Sequence, residues 1–224
     1  MSSYTKQKLD KIHRRIPGHY YDHSLATNPL KKHFHRIRFN TVGRMIKDRP
    51  GKLLDIGCAG GTFTNEMSRL CPAEITAVDI SDRAIKYARK RYPHIKFAVH
   101  DAADRFKFAD NSFDTVTMLE TLEHVLNPVE ILQEMKRLVK PDGEVVVLVP
   151  SENWFFQLGW EIWTRLPYGI GGNSWQEAHV QRFDGAKLRH LMEFVGYEIV
   201  EEKRPALGLL IAIKAKPKEP NINY

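Results

Sequence analysis

The segment Asp55-Ile56-Gly57-Cys58-Ala59-Gly60-Gly61 has the residue types to hold a ligand against the main chain. It ends the apolar run Leu53 to Ile56 and leads into a helix-like pattern, Thr62 to Leu70. Glycines at such a turn allow positive φ and close approach of a ligand to the backbone. The helix start behind it offers unpaired N–H groups and the positive end of a dipole. The dinucleotide fingerprint G-x-G-x-x-G is missing. Asp55 stands two residues before the first glycine, where it would repel a pyrophosphate and suit a cation such as an amino group or a sulfonium. A second acid, Asp79, ends the next strand pattern 22 residues after Gly57. In doubly wound sheets a carboxylate at that place takes a ribose diol.

Further motifs follow in order. His100-Asp101-Ala102 comes after a third strand pattern, Ile95 to Val99, and Phe106-Lys107-Phe108-Ala109-Asp110-Asn111-Ser112-Phe113-Asp114 precedes a fourth, Val116 to Leu119. Glu123-His124-Val125 and Asn127-Pro128 open a helix, and Leu138 to Gly143 leads into a fifth strand, Glu144 to Val149. This ordered set over residues 50–150 resembles the class I S-adenosylmethionine (SAM)-dependent methyltransferases, of the methyltransferase type 11 and ubiquinone/menaquinone biosynthesis kind. Their motif D-x-G-x-G-x-G stands here as Asp55-x-Gly57-x-Ala59-x-Gly61, with Gly60 beside the departing Ala59 to supply the same freedom.

The resemblance implies an α/β, Rossmann-like fold: a doubly wound, seven-stranded, mostly parallel sheet with helices on both faces. It implies SAM as cofactor and S-adenosylhomocysteine (SAH) as product. Asp79 would hold the ribose hydroxyls, Asp101 the adenine amino group, and the Gly57–Gly61 turn the methionine part. The cofactor-binding residues would be Asp55, Gly57, Cys58, Ala59, Gly61, Asp79, Ile80, Asp101, Ala102 and Leu119. Methyl transfer from a sulfonium is an in-line displacement, so the protein must align the acceptor, exclude water and take a proton from a hydroxyl acceptor. Candidate bases are His124, near the reacting rim, and His179, whose surroundings Ala178 to Phe183 resemble the family's H-V-R-x-F stretch. Glu120-x-x-Glu123-His124 resembles a stretch of quinone-biosynthesis O-methyltransferases linked to a divalent ion, and its two carboxylates and imidazole could bind Mg²⁺ or Zn²⁺. Structural hydrogen bonding reads the same residues equally well, and no metal is assigned.

The elements that must position these residues alternate strand and helix, which calls for a parallel sheet with a ligand beyond the strands' C-terminal ends. Residues 1–49 read as a basic helical cap: a helix from Tyr4 to Ile16, a loop at Tyr20-Tyr21-Asp22, and a helix from Pro29 to Ile46. An arginine among Arg36 and Arg38 could meet the SAM carboxylate. Residues 50–150 form the core. Residues 151–183 carry all four tryptophans and read as an insertion that builds the acceptor pocket, with Trp154, Trp160, Tyr168 and His179 as substrate contacts. Residues 184–216 supply a helix, Gly185 to Val195, and two strands, Gly196 to Lys203 and Leu209 to Lys214, and residues 217–224 a tail.

Composition sets the outer bounds. At 224 residues with 42% hydrophobic content, the chain fits one domain with additions. No run of about 18 apolar residues occurs, so no spanning helix is expected, and the first residues lack a secretory signal's apolar stretch. Cys58 and Cys71 lack metal spacing, which agrees with a reducing cytoplasm. Residues 1–49 hold 12 Lys/Arg against 3 Asp/Glu, a net +9, while the rest carries −2. That face fits an anionic membrane surface, RNA, an anionic substrate or plain solvation. The aromatic load favours a small apolar or lipid-linked acceptor over nucleic acid, with peripheral contact at an anionic membrane. Acceptor atom and oligomeric state, monomer or homodimer, stay open. The alternatives are an RNA methyltransferase with a basic arm and a non-catalytic SAM-binding protein.

Overall fold

A computed structural model describes residues 6–15, 17–27, 29–47, 49–151 and 179–218. Period-two alternation in the central strands decides the architecture. In β1 (Gly51–Ile56), Leu54 and Ile56 join one apolar cluster and Leu53 the opposite one. In β5 (Val139–Pro150), Val145, Val147 and Val149 face the first cluster, and Val146 and Leu148 face the second. Strands with apolar side chains on both faces must be covered on both, which is the arrangement of a parallel sheet between helical layers.

The sheet has seven strands, adding β2 (Ala73–Asp79), β3 (Lys96–Val99), β4 (Phe113–Leu119), β6 (Tyr197–Lys203) and β7 (Leu210–Pro217), in the order β3-β2-β1-β4-β5-β7-β6. β1 to β5 pair in parallel, and β7 runs antiparallel to β5 and β6. This is the doubly wound sheet the sequence predicts. The order reverses between β1 and β4, so the crevice at their C-terminal ends is where a ligand fits.

Helices α3 (Pro29–Ile46), α4 (Thr62–Leu70) and α5 (Asp82–Arg91) cover one face through Val42, Met45, Met67 and Ile85. Helices α6 (Pro128–Leu138) and α7 (Gly185–Val195) cover the other through Ile131, Leu132, Met135, Leu188 and Met192. Local signals set their ends: Ser81, Asn127 and Asp184 cap α5, α6 and α7 through their side chains. Gly196 ends α7 at φ 93°, a value glycine adopts without a Cβ penalty. Cys58 and Cys71 are free and buried.

Two expectations need correction. Tyr20-Tyr21-Asp22 is no loop but starts helix α2 (Tyr20–Thr27), which follows α1 (Lys6–Arg15). Tertiary hydrogen bonds to Asp22 hold that helix, and no local pattern announces them. β5 begins five residues early, at Val139 rather than Glu144, because Val139 pairs with Phe113 ahead of a bulge. No helix among the described residues is long and apolar enough to cross a membrane.

Candidate functional site

A cavity of about 910 Å³ opens at the C-terminal ends of the parallel strands. Gly57, Ala59, Asp79, Ile80, Asp101, Ala102 and Leu119 line it, as do α1 residues Lys6, Leu9, Asp10 and His13, and His124. Of the residues expected at a cofactor, Asp55, Cys58 and Gly61 do not line the wall. They build the turn from beneath.

The turn is shaped by three left-handed residues, Gly57 (φ 83°), Ala59 (φ 47°) and Gly61 (φ 78°). A Cβ on Gly57 would stand 2.1 Å from the Thr121 hydroxyl, and one on Gly61 2.7 Å from the Phe97 ring. Ala59 therefore takes the strained conformation itself, and Gly60 does not relieve it. Gly60 serves another need: a Cβ there would lie 1.8 Å from the Gly18 carbonyl oxygen, which packs onto the turn from the cap.

Asp55 is 2% exposed and accepts hydrogen bonds from Thr64 (2.6 Å) and Thr117 (2.8 Å). Burial pushes its carboxyl up to about 6 despite those bonds. It ties α4 to β4 under the turn. The sequence predicts ligand contact; the side chain lies instead between the sheet and α4, off the cavity wall.

Asp79 is built differently. Its Oδ2 accepts the Ala59 N–H and its Oδ1 the Ser81 N–H, both at 2.8 Å. Burial raises its pKa, and these two bonds lower it. Each oxygen keeps a lone pair for a further donor. Asp101 accepts the Ala103 N–H on Oδ1 at 2.9 Å and pairs through Oδ2 with Lys6 at 2.9 Å. The Lys6 ammonium, held by Asp101 and Asp104, is shifted up.

At the other end, Arg38 pairs with Glu120 at 2.7 Å and donates to His35 Nδ1 at 2.9 Å. Arg38 is 4% exposed and lies near the rings of Tyr21, Phe34 and Phe63. Its Nε has no partner among the described residues. Burial and then Arg38 push His35 down to about 4. Arg36 is exposed, whereas Arg38 is buried against Glu120, which lines the cavity. Glu120, at φ 49°, pairs with Arg38. The expected Glu120-Glu123-His124 grouping is replaced by Glu123, His124 and His179, whose ligand atoms lie within 4.8 Å of one another. Val180 and Gln181 donate their N–H groups to the Glu123 carbonyl at 3.0 Å, which brings His179 to His124. The His124 ring touches His179 and His13 edge-on, each with centroids 4.8 Å apart.

Sequence reasoning missed His13, His35 and Asp22. Asp22 accepts from Thr62 (2.8 Å), Tyr87 (2.6 Å) and Tyr92 (3.3 Å), and so fastens the cap to α4 and α5. Nothing in local spacing marks Asp22 or His13, since their partners lie tens of residues away, and His35 bonds Arg38 on its own helix. Trp154, Trp160 and Tyr168, the expected acceptor contacts, lie outside the described residues.

The family described as a methyltransferase domain matches residues 24–202. A ubiquinone biosynthesis O-methyltransferase of Xanthomonas euvesicatoria is 30% identical over 148 residues, covering 64% of this chain and 61% of that protein. Its counterpart in Xanthomonas oryzae is 32% identical, covering 64% and 60%. The chain thus spans about three fifths of the length of these curated relatives. Among solved structures, a SAM-dependent methyltransferase of Thermotoga maritima superposes with a TM-score of 0.69 at 18% identity, covering 94% of this chain and all (100%) of that one. At that identity the likeness speaks for the fold.

Proposed function

Because the chain belongs to the class I SAM-dependent methyltransferase family, we propose that it transfers the methyl group of SAM to a hydroxyl of a small, apolar or lipid-linked acceptor. The observation that carries this reading is one continuous cavity running from Asp101 and Asp79 past Gly57 to Glu120 and His124.

The residues present suit the cofactor. Asp79 has a lone pair left on each oxygen for the ribose hydroxyls, and Gly57 lets the turn pack against Thr121 while its backbone lines the cavity. Asp101 would receive the adenine amino group in competition with Lys6. Arg38, with its Nε unspent, would meet the carboxylate of the methionine part. Ile80, Ala102 and Leu119 supply the apolar walls. SAM, when bound, contributes a methyl group activated by the sulfonium. The chain's part is to orient the acceptor, to exclude water with α1 and to accept a proton near His124.

The hydroxyl acceptor rests on the relatives, which are O-methyltransferases of ubiquinone biosynthesis. An isoprenoid-linked phenol would also match a chain with a basic cap and all four tryptophans in residues 151–183. Exposed Lys11, Arg14, Lys32 and Arg36 would face the anionic lipid that carries such an acceptor.

Calorimetric titration with SAH, with NADH alongside, tests the cofactor, and methyl transfer to short prenylated phenols tests the acceptor. Micromolar binding of SAH alone and methylated phenol are expected. Absence of SAH binding overturns the cofactor reading. Binding without transfer to any hydroxyl overturns the acceptor.

A further inference from the structure

Helix α1 lies along the cavity from one end to the other. Lys6 reaches Asp101, and His13, seven residues on and roughly 10 Å along a helix axis, touches the His124 ring. His13 lines the cavity, and its Nε2 is a buried ring nitrogen with no partner among the described residues. His124, by contrast, is engaged on two sides by the rings of His13 and His179. A buried, unspent imidazole nitrogen on a cavity wall points to a ligand group that completes it.

We propose that His13 is a catalytic residue: its Nε2 accepts the hydrogen bond of the acceptor hydroxyl and takes that proton as the methyl group is transferred. This rests on the hydroxyl-acceptor reading above and adds a residue from outside the sheet's rim. The acceptor's oxygen lone pair forms the new C–O bond and the C–S bond breaks. Sulfur keeps the electron pair, leaving neutral SAH, and the hydroxyl proton resides on His13 before it passes to water.

The surroundings agree. Burial lowers the proton affinity of His13 below that of a free imidazole. The groups facing it are Asp10 on its own helix, Asp101 beyond β3, and His124 and His179. Asp10 and Asp101 favour the imidazolium that forms, and His179 disfavours it. Since α1 is part of the cap, the base is present only when the cap is seated.

The test uses para-nitrophenol, whose phenolate is coloured, bound to the full-length SAH complex of the native protein and of His13→Gln. Glutamine can accept the hydrogen bond but not the proton. The native complex should bind the probe with its ionisation drawn toward lower pH. His13→Gln should bind SAH within twofold of native, yet raise the apparent pKa of the bound phenol by about one unit or more. With a methylated phenol in hand, kcat should fall ~100-fold with KM for SAM unchanged. Identical ionisation in both proteins overturns the role of His13. Failure of the native SAH complex to bind the phenol overturns the acceptor reading and this proposal together. Failure to bind SAH at all overturns the cofactor reading itself.

Discussion

The backbone N–H of Ala59 donates to Asp79 Oδ2 at 2.8 Å, joining the turn after β1 to the acid at the end of β2. One carboxylate thus holds the turn in shape and presents its remaining lone pairs to the cavity. Replacing Asp79 with alanine should weaken SAH binding by ~1–3 kcal/mol, the cost of losing a charged acceptor. Calorimetry checks this, and unchanged affinity would contradict the assignment of Asp79 to the ribose.

Ala59 sits at φ 47°, a left-handed conformation that costs an ordinary residue roughly 1–2 kcal/mol. Glycine escapes that cost but loses about 0.5–1 kcal/mol in chain entropy. Ala59→Gly should therefore stabilise the protein by up to about 1 kcal/mol in urea unfolding and leave SAH affinity unchanged. A destabilised variant would mean that the alanine methyl group packs against something essential.

Arg38 and Glu120 form a largely buried pair, with side-chain exposures of 5% and 18%. Arg38→Met leaves the Glu120 carboxylate without its partner and should cost about 3–5 kcal/mol. Adding Glu120→Gln should recover most of the loss, since no uncompensated charge remains. SAH binding should stay weak in the double variant if Arg38 also holds the methionine carboxylate. Recovery of both stability and affinity would confine Arg38 to a structural role.

Asp55 gives a pH signature. Its folded pKa, about 6, lies above the ordinary carboxylate value of about 3.9. The folded state then binds the proton more tightly than the unfolded one, so this group's contribution falls as pH rises from about 4 to about 6 and is flat above. The lowered pKa of His35, about 4, acts in the opposite sense over the same range, which is why a difference measurement is needed. Asp55→Asn should be more stable than the native protein at pH 7, by on the order of 2 kcal/mol, and lose that advantage toward pH 4. Equal pH profiles for the two proteins in urea unfolding would sink the argument.

The sheet was legible because its signals are local and repeated. The apolar run Leu53 to Ile56 marks β1, and the spacing from Gly57 to Asp79 marks the carboxylate at the end of β2. The helices Thr62–Leu70 and Gly185–Val195 follow from their apolar pattern. Asp55 shows the limit. The sequence placed it at the turn, but only the strand's pleat decides that its side chain faces α4, between Thr64 and Thr117. Glu120 likewise shares a motif with His124, yet a buried arginine from α3 claims it. The cap was the least legible part, since Asp22, Arg38 and His13 act through partners 40 to 111 residues away.

That cap makes the last prediction. The Gly18 carbonyl rests on Gly60 so closely that a Cβ would come within 1.8 Å of it, and the contact is backbone against backbone. No side chain can swing aside, so Gly60→Ala must lift the cap or distort the turn. Asp22 draws the cap down through Thr62, Tyr87 and Tyr92, which opposes the lift. Hydrogen exchange separates the two outcomes. If the cap lifts, amides of residues 6–27 should exchange faster while β1 and α4 keep their protection, and SAH affinity should fall because α1 no longer closes the cavity. Asp22→Asn, which keeps the shape but weakens the hold, should give the same pattern more mildly. Faster exchange in α4 instead would mean that the turn yields first, and that the cap is the more rigid of the two.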